Sequence, residues 1–158
     1  MNTSDYDGRT ALHIAASEHD EALAHFLLSH GASVHRKDNF GRTPLMEAIL
    51  NGNRATARLI YRTGGPLLCP PPQQALLLCQ YVADEKLDAM QLLIECGGDV
   101  NARSLEGGSA LHMGVVERKE SVIAFLVSHG ADVHMKDKHG RTALQEATGF
   151  DLASLLSQ

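Results

Sequence analysis

Residues 5–37 read DYDGRTALHIAASEHDEALAHFLLSHGASVHRK, and residues 104–136 read SLEGGSALHMGVVERKESVIAFLVSHGADVHMK. The two stretches align without a gap. Gly8, Gly41, Gly107 and Gly140 fall on a beat of 33 residues, with Gln74 on the missing beat. Gly31, Gly64, Gly97 and Gly130 keep the same 33-residue spacing. A period held along the chain means one supersecondary unit, copied and stacked. Such a stack offers an extended surface rather than a closed catalytic pocket.

One copy reads as turn, helix, turn, helix, loop. Asp5-Tyr6-Asp7-Gly8 is turn chemistry, with Gly8 free to take positive φ. Thr10 stands where a helix N-cap belongs, its hydroxyl available to a free backbone N–H. In the next copy Thr43 precedes Pro44, which suits the first helical position because its missing N–H is not needed there. Leu12, Ala15 and Ala16 share one face of a short helix, and the alanines let a second helix come close. His19-Asp20 makes the turn. Leu23, Phe26 and Leu27 form the stripe of the second helix. Gly31 follows as a left-handed cap, and Val34 starts the return.

The copies fall at about 5–37, 38–70, 71–103, 104–136 and 137–158, within a single repeat domain spanning 1–158. The third departs most. Cys69-Pro70-Pro71-Pro72-Gln73-Gln74 lacks the turn glycine, and three successive prolines predict a polyproline II finger. Its first helix, read from Leu76 to Val82, has no Thr cap and carries Tyr81 where Ala is usual. Leu87 to Glu95 returns to pattern. The fifth copy is short, and Asp151, Ser154, Ser157 and Gln158 suit a polar terminal cap. The first copy carries Ile14, Leu23 and Leu27 like an internal repeat. The expectation is therefore that something upstream covers it, as in a piece of a longer protein.

Composition narrows the class. The chain has 158 residues, 44% apolar, with no Trp and a formal net charge of −5. The core is therefore aliphatic and Ala-rich. The acidic balance argues against nucleic acid or an anionic membrane as main partner. No stretch reaches the roughly 18 apolar residues of a membrane span, and the polar start does not resemble a signal peptide. Cys69, Cys79 and Cys96 are odd in number and lack metal-ligand spacing. They read as reduced thiols in an intracellular, cytoplasmic or nuclear protein.

Thr10-Ala11-Leu12-His13-Ile14-Ala15-Ala16, Thr43-Pro44-Leu45 and Ser109-Ala110-Leu111-His112 resemble the ankyrin signature Thr-Pro-Leu-His-x-Ala. Phe26 to Ala32 and Phe125 to Val133 resemble the second half of that unit. The resemblance implies an all-α fold, a solenoid of helix-turn-helix units with β-turn fingers. It implies a non-catalytic protein-interaction module that binds another protein through its concave face and fingers, with no cofactor and no metal. His13 and His112 are then bridges between repeat backbones.

Mapped onto the beat, the expected partner-binding tips are Tyr6, Asp7 and Arg9, then Asn39, Phe40 and Arg42, then Leu105 and Glu106, then Lys138, His139 and Arg141. The helix positions are Ser17 and Glu18, Leu50 and Asn51, Val116 and Glu117. Exposed aromatics beside arginine are hot-spot chemistry. Leu93 with Asp99-Val100-Asn101 resembles the ankyrin asparaginyl-hydroxylation pattern, with Asn101 as acceptor. The bland reading has Asn101 tie loop backbones together. His25, His30 and His35, and His129, His134 and His139, recur every five residues, which is not helical metal-ligand spacing. Thr63-Gly64-Gly65 resembles an amidohydrolase nucleophile turn, but Gly64 lies on the beat as a helix cap. An alternative reading stays open. Asp5 to His13, Lys37-Asp38 and Glu47-Ala48 resemble ankyrin tails on glutaminases and asparaginase/lysophospholipase-type enzymes. The module would then regulate or oligomerise its own upstream domain. A channel or transporter tail rests on the same phrases.

Overall fold

The computed structural model describes residues 3–147. The described residues form helices α1 (Ala11–Ser17), α2 (Glu21–Ser29), α3 (Pro44–Leu50), α4 (Arg54–Arg62), α5 (Pro71–Ala83), α6 (Leu87–Glu95), α7 (Ala110–Val116), α8 (Glu120–Ser128) and α9 (Ala143–Glu146). Extended pairing among them is limited to two isolated bridges, Ser4 with Thr10 and Lys136 with Thr142. The expected terminal cap, Asp151 to Gln158, lies outside the described residues.

The chain divides into two compact units. The first is Met1–Cys69 with Glu95–Gly97, and the second is Pro70–Ile94 with Gly98–Gln158. In the first unit α1 packs on α2 and α3, and α4 packs on α2 and α3. Leu12, Ala15, Ala16, Leu45, Ala48 and Ile60 are fully buried there. The alanines bring the short first helices into close contact, while the leucines and isoleucines fill the space beneath. In the second unit α7 packs on α5, α8 and α9, over Leu78, Met90, Leu93, Leu111 and Ile123. Gly114 takes the small-residue place in α7. A Cβ added there would press on Ile123 Cγ1 at 3.4 Å.

Polar side chains tie each helix pair to the next inside each unit. Asn53 caps α4 by accepting from the Thr56 N–H at 3.3 Å, and donates to the Ala16 carbonyl at 3.1 Å. Lys119 holds the equivalent place in the second unit. Its Nζ donates to the Val82 carbonyl at 3.0 Å and to the Ala83 carbonyl, and pairs with Glu117 at 3.4 Å. A cation against the last carbonyls of α5 also complements the negative end of that helix.

The third copy corrects the sequence reading. Its prolines do not make a polyproline II finger. Only Pro70 is extended, at φ −58 and ψ 148, and it caps the helix that Pro71 and Pro72 begin. The first turn of a helix has no use for those N–H groups, and the ring presets φ near the helical value. The Gln73 and Gln74 N–H groups both donate to the Pro70 carbonyl at 3.0 Å. As a result α5 runs for 13 residues where α1, α3 and α7 run for 7. Leu76, on the beat of the Thr10 and Ser109 caps, is a helical residue exposed to solvent.

The turn between paired helices has a feature that the sequence reading passed over. His19, Gly52, Glu85 and Arg118 occupy one register, and all have positive φ, at 60, 68, 53 and 57. Only the second copy uses the residue suited to that conformation. His19→Gly is expected to raise stability by about 0.5–1 kcal/mol, and Gly52→Val to lower it by at least as much. Urea denaturation of both variants checks the pair.

Candidate finger-tip interface

Three of the fingers are built around one acidic side chain and one glycine. In the first, the Asp5 N–H donates to the Arg9 carbonyl at 2.8 Å and the Gly8 N–H to the Asp5 carbonyl at 3.0 Å. The same two bonds close the second finger at Asp38, Gly41 and Arg42, and the one from Asp137 to Arg141. Asp5 Oδ1 accepts from the N–H groups of Asp7 and Arg9, at 3.0 and 2.8 Å. Asp38 accepts likewise from Phe40 and Arg42. Asp137 accepts from His139 and Arg141. These backbone N–H groups, that of Arg9 or Arg141 first, hold the Asp5 and Asp137 carboxyls below the ordinary value. The fourth finger uses Ser104 and Gly108 in place of Asp and Arg, and closes with the same pair of backbone bonds.

The finger arginines turn back onto their own loops. Arg42 Nε meets Asp38 Oδ2 at 3.2 Å, and its Nη2 meets Glu47 Oε1 at 3.0 Å. Asn51 completes that cluster, donating to Glu47 Oε2 at 3.1 Å. Arg141 repeats the arrangement with Asp137 and Glu146, at 3.3 and 3.1 Å. Arg9 pairs with Asp5 and Asp7. The aromatics stay exposed. Tyr6 is 99% exposed and Phe40 70%, with the Arg42 guanidinium 5.0 Å from the Phe40 ring centre. Leu105 is 91% exposed on the fourth finger, where Lys138 pairs with Glu106. Asn39, Glu18, Asn51, Glu117, His139 and Arg141 are exposed, and Asp7 is half-buried. Sequence reasoning found the tips but missed the carboxylate clamp. Its signal is the repeat of acid, Arg four residues on and Glu five further, at 38, 42, 47 and again at 137, 141, 146.

Two imidazoles position the fingers. The Thr10 backbone N–H donates to His13 Nδ1 at 3.1 Å, so the ring proton sits on Nε2, which donates to the Arg42 carbonyl at 2.9 Å. His112 does the same between Ser109 and the Arg141 carbonyl, at 3.3 and 3.2 Å. Asn101 joins two loops of the second unit. Its Nδ2 donates to the Gly130 carbonyl at 3.2 Å and its Oδ1 accepts from the Asp132 N–H at 2.8 Å. Thr63 spends its hydroxyl on the Ile60 carbonyl at 2.8 Å, and Gly64 has φ +89.

In the second unit a groove of about 370 Å³ has an apolar floor of Cys79, Met113 and Val116 and a polar rim with Glu106, Lys138 and His139. Burial raises the Cys79 and Cys69 thiols, and pushes Cys96 up to about 11, with the Glu95 charge adding to the effect. No group of three or more metal-ligating side chains occurs among the described residues. No described helix is long and apolar enough to cross a membrane.

Fold and site define a repeat protein with exposed loop tips. The chain belongs to the ankyrin repeat family, whose model "Ankyrin repeats (3 copies)" matches residues 1–66 and 78–158. Ankyrin repeats are protein–protein interaction modules. The ankyrin repeat domain of Bcl-3, a member of the IkappaB protein family, superposes with a TM-score of 0.77 at 26% identity, covering 98% of this chain and 70% of that one. A chain from the structure of the Bdellovibrio bacteriovorus predatory endopeptidase Bd0816 in complex with immunity protein Bd3460 superposes at 0.70 with 28% identity, covering 99% of this chain and 83% of that one. An L-asparaginase of Dirofilaria immitis is 26% identical over 99% of this chain, which spans 26% of that protein. The first curated relatives are thus much longer than this chain, which spans 8–26% of them.

Replacing His13 with Ala orphans the Thr10 N–H and one lone pair of the Arg42 carbonyl. His13→Ala should lower unfolding stability by about 1–3 kcal/mol, while His25→Ala, on an exposed site, stays within about 0.5 kcal/mol. Chemical denaturation of the two variants measures the contrast. A thiol whose pKa is raised stays protonated further up the pH scale. Native protein should therefore react with a thiolate-selective reagent at Cys96 far more slowly at pH 8 than denatured protein does. Rapid labelling of native Cys96 at that pH would contradict its burial.

Proposed function

We propose that this chain is a non-catalytic binding module whose contact surface combines the finger tips with the exposed side of the first helices. The partner is another protein, and no cofactor takes part. The observation that supports this most is the division of labour in the first two fingers, with Leu105 the exposed apolar tip of the fourth. Arginines and acids satisfy one another within the loop, while Tyr6, Phe40 and Leu105 stand free in solvent. A surface so arranged recognises by apolar and aromatic area rather than by capture of an anion. Asn39 adds an exposed polar group in the first unit, and Glu106, Glu117, His139 and Arg141 add theirs in the second. The likeness to a chain solved in an endopeptidase–immunity protein complex supports a protein partner. Asn101 is kept as a candidate hydroxylation acceptor. The odd set of cysteines supports an intracellular, cytoplasmic setting.

A second reading has one observation behind it, the likeness to L-asparaginase over 26% of that protein. There the module acts on an enzyme carried by the same polypeptide. In the first reading, Tyr6→Ala and Phe40→Ala each weaken binding of a captured partner by about tenfold or more, a loss of hot-spot size, with the thermal transition unchanged. Isothermal titration measures it, and full affinity in both variants would remove these tips from the interface.

A further inference from the structure

The second copy carries an amide where its neighbours carry an acid. Glu18, Asn51, Asp84 and Glu117 share one register, as C-caps of the first helices of the first four copies. The residues four before the acids are Ile14, Gln80 and Met113, none of them charged, whereas the one before Asn51 is Glu47. Asn51 serves that acid. Its Nδ2 donates to the Glu47 carbonyl at 2.8 Å and to Glu47 Oε2 at 3.1 Å. The Glu47 side chain is only 6% exposed, and its Oε1 holds Arg42. Arg42 also holds Asp38, whose carboxylate shapes the Phe40 turn. All of these residues belong to the first unit.

Gly52 follows Asn51, the one Asn-Gly pair in the sequence. The pair is exposed, in the turn between α3 and α4. An Asn side chain is open to attack at Cγ by the backbone nitrogen of the next residue. Gly, with no Cβ, hinders that approach least. The bond from nitrogen to Cγ forms, the Cγ–Nδ2 bond breaks, and ammonia leaves with the proton of the Gly52 nitrogen. Water then opens the cyclic imide. Addition at Cγ gives aspartate, and addition at the backbone carbonyl gives isoaspartate. Either product holds a carboxylate in place of the amide.

The folded turn opposes the first step twice. The Gly52 N–H is spent on the Ile49 carbonyl at 3.0 Å, and the Asn51 amide is spent on Glu47. Both must let go before nitrogen and Cγ meet, so the reaction waits on local opening of the turn. The product cannot donate to Glu47. A buried acid then loses its donor, and like charges meet where the amide stood. The new carboxylate also competes with Glu47 and Asp38 for Arg42.

We propose that Asn51 is a spontaneous deamidation site, held in check by its own bonds to Glu47, and that its product loosens the Arg42 clamp of the second finger. Asn39, Asn53 and Asn101 precede Phe40, Arg54 and Ala102, whose side chains slow the same attack.

The test incubates the full chain at neutral pH, in buffer and in concentrated urea, and maps deamidation by mass spectrometry of its peptides. In urea Asn51 should react about tenfold or more faster than Asn39, Asn53 and Asn101, and in buffer about tenfold or more slower than in urea. Equal rates among the asparagines in urea, or equal rates at Asn51 in the two solutions, would overturn the proposal. Asn51→Asp, made directly, should lower the thermal midpoint by about 3–10 °C. Its ¹⁵N spectrum should show shifted amides at Phe40 and Arg42. The same change made together with Glu47→Gln copies the pairing of Gln80 with Asp84, and should lower the midpoint of that background by less than half as much. An unchanged midpoint, unshifted finger amides, or an equal fall in both backgrounds would each overturn the link to the clamp.

Discussion

The carbonyl that closes a finger has two lone pairs, and the arrangement of copies depends on what fills the second. In the second finger the Arg42 carbonyl accepts from the Asp38 N–H and from His13 Nε2, which belongs to the preceding copy. The Arg141 carbonyl is held in the same way by Asp137 and His112. A loop at the surface gains rigidity because a buried ring beneath it has no other acceptor. His13 is itself fixed through its other nitrogen by the cap of its own helix. Helix cap, imidazole and neighbouring finger thus form one connected set. Loss of a member leaves a polar group unpaired, which costs more than the bond contributed.

That set explains why the fingers can carry an interface. Loop tips are ordinarily mobile, and ordering them on binding is costly. Here the Asp38 carboxylate holds two N–H groups of its turn, Arg42 binds that acid from outside, and Glu47 anchors Arg42 to the helix. The charges are consumed in building the loop. What remains outward is Phe40 and Tyr6. The polar residues supply the geometry and the apolar ones the contact area.

The third copy shows how a repeat is altered without being lost. Pro71 and Pro72, which carry no N–H, start a helix where the other copies have a finger. The sequence reading weighed the missing donors and missed the helix start, because the usual cap residue stands six residues later in the other copies. The second helix of that copy, α6 (Leu87–Glu95), was legible to the residue, since its apolar stripe is unbroken. The left-handed turn residues His19, Glu85 and Arg118 were not legible. Glutamate and arginine are not types that favour that conformation. The packing of two helices at a fixed distance imposes it.

The sequence alone determined the repeat, its 33-residue period, the helix pairs, the caps and the two bridging histidines. Each of these is a local pattern that recurs, so copies confirm one another. The tips were legible as positions, because a turn glycine fixes where the chain must reverse. Only the tertiary structure decided which tip side chains are free. Arg42 and Phe40 are two residues apart on one finger. Whether the guanidinium faces a partner or its own Asp38 and Glu47 depends on carboxylates brought together by the fold.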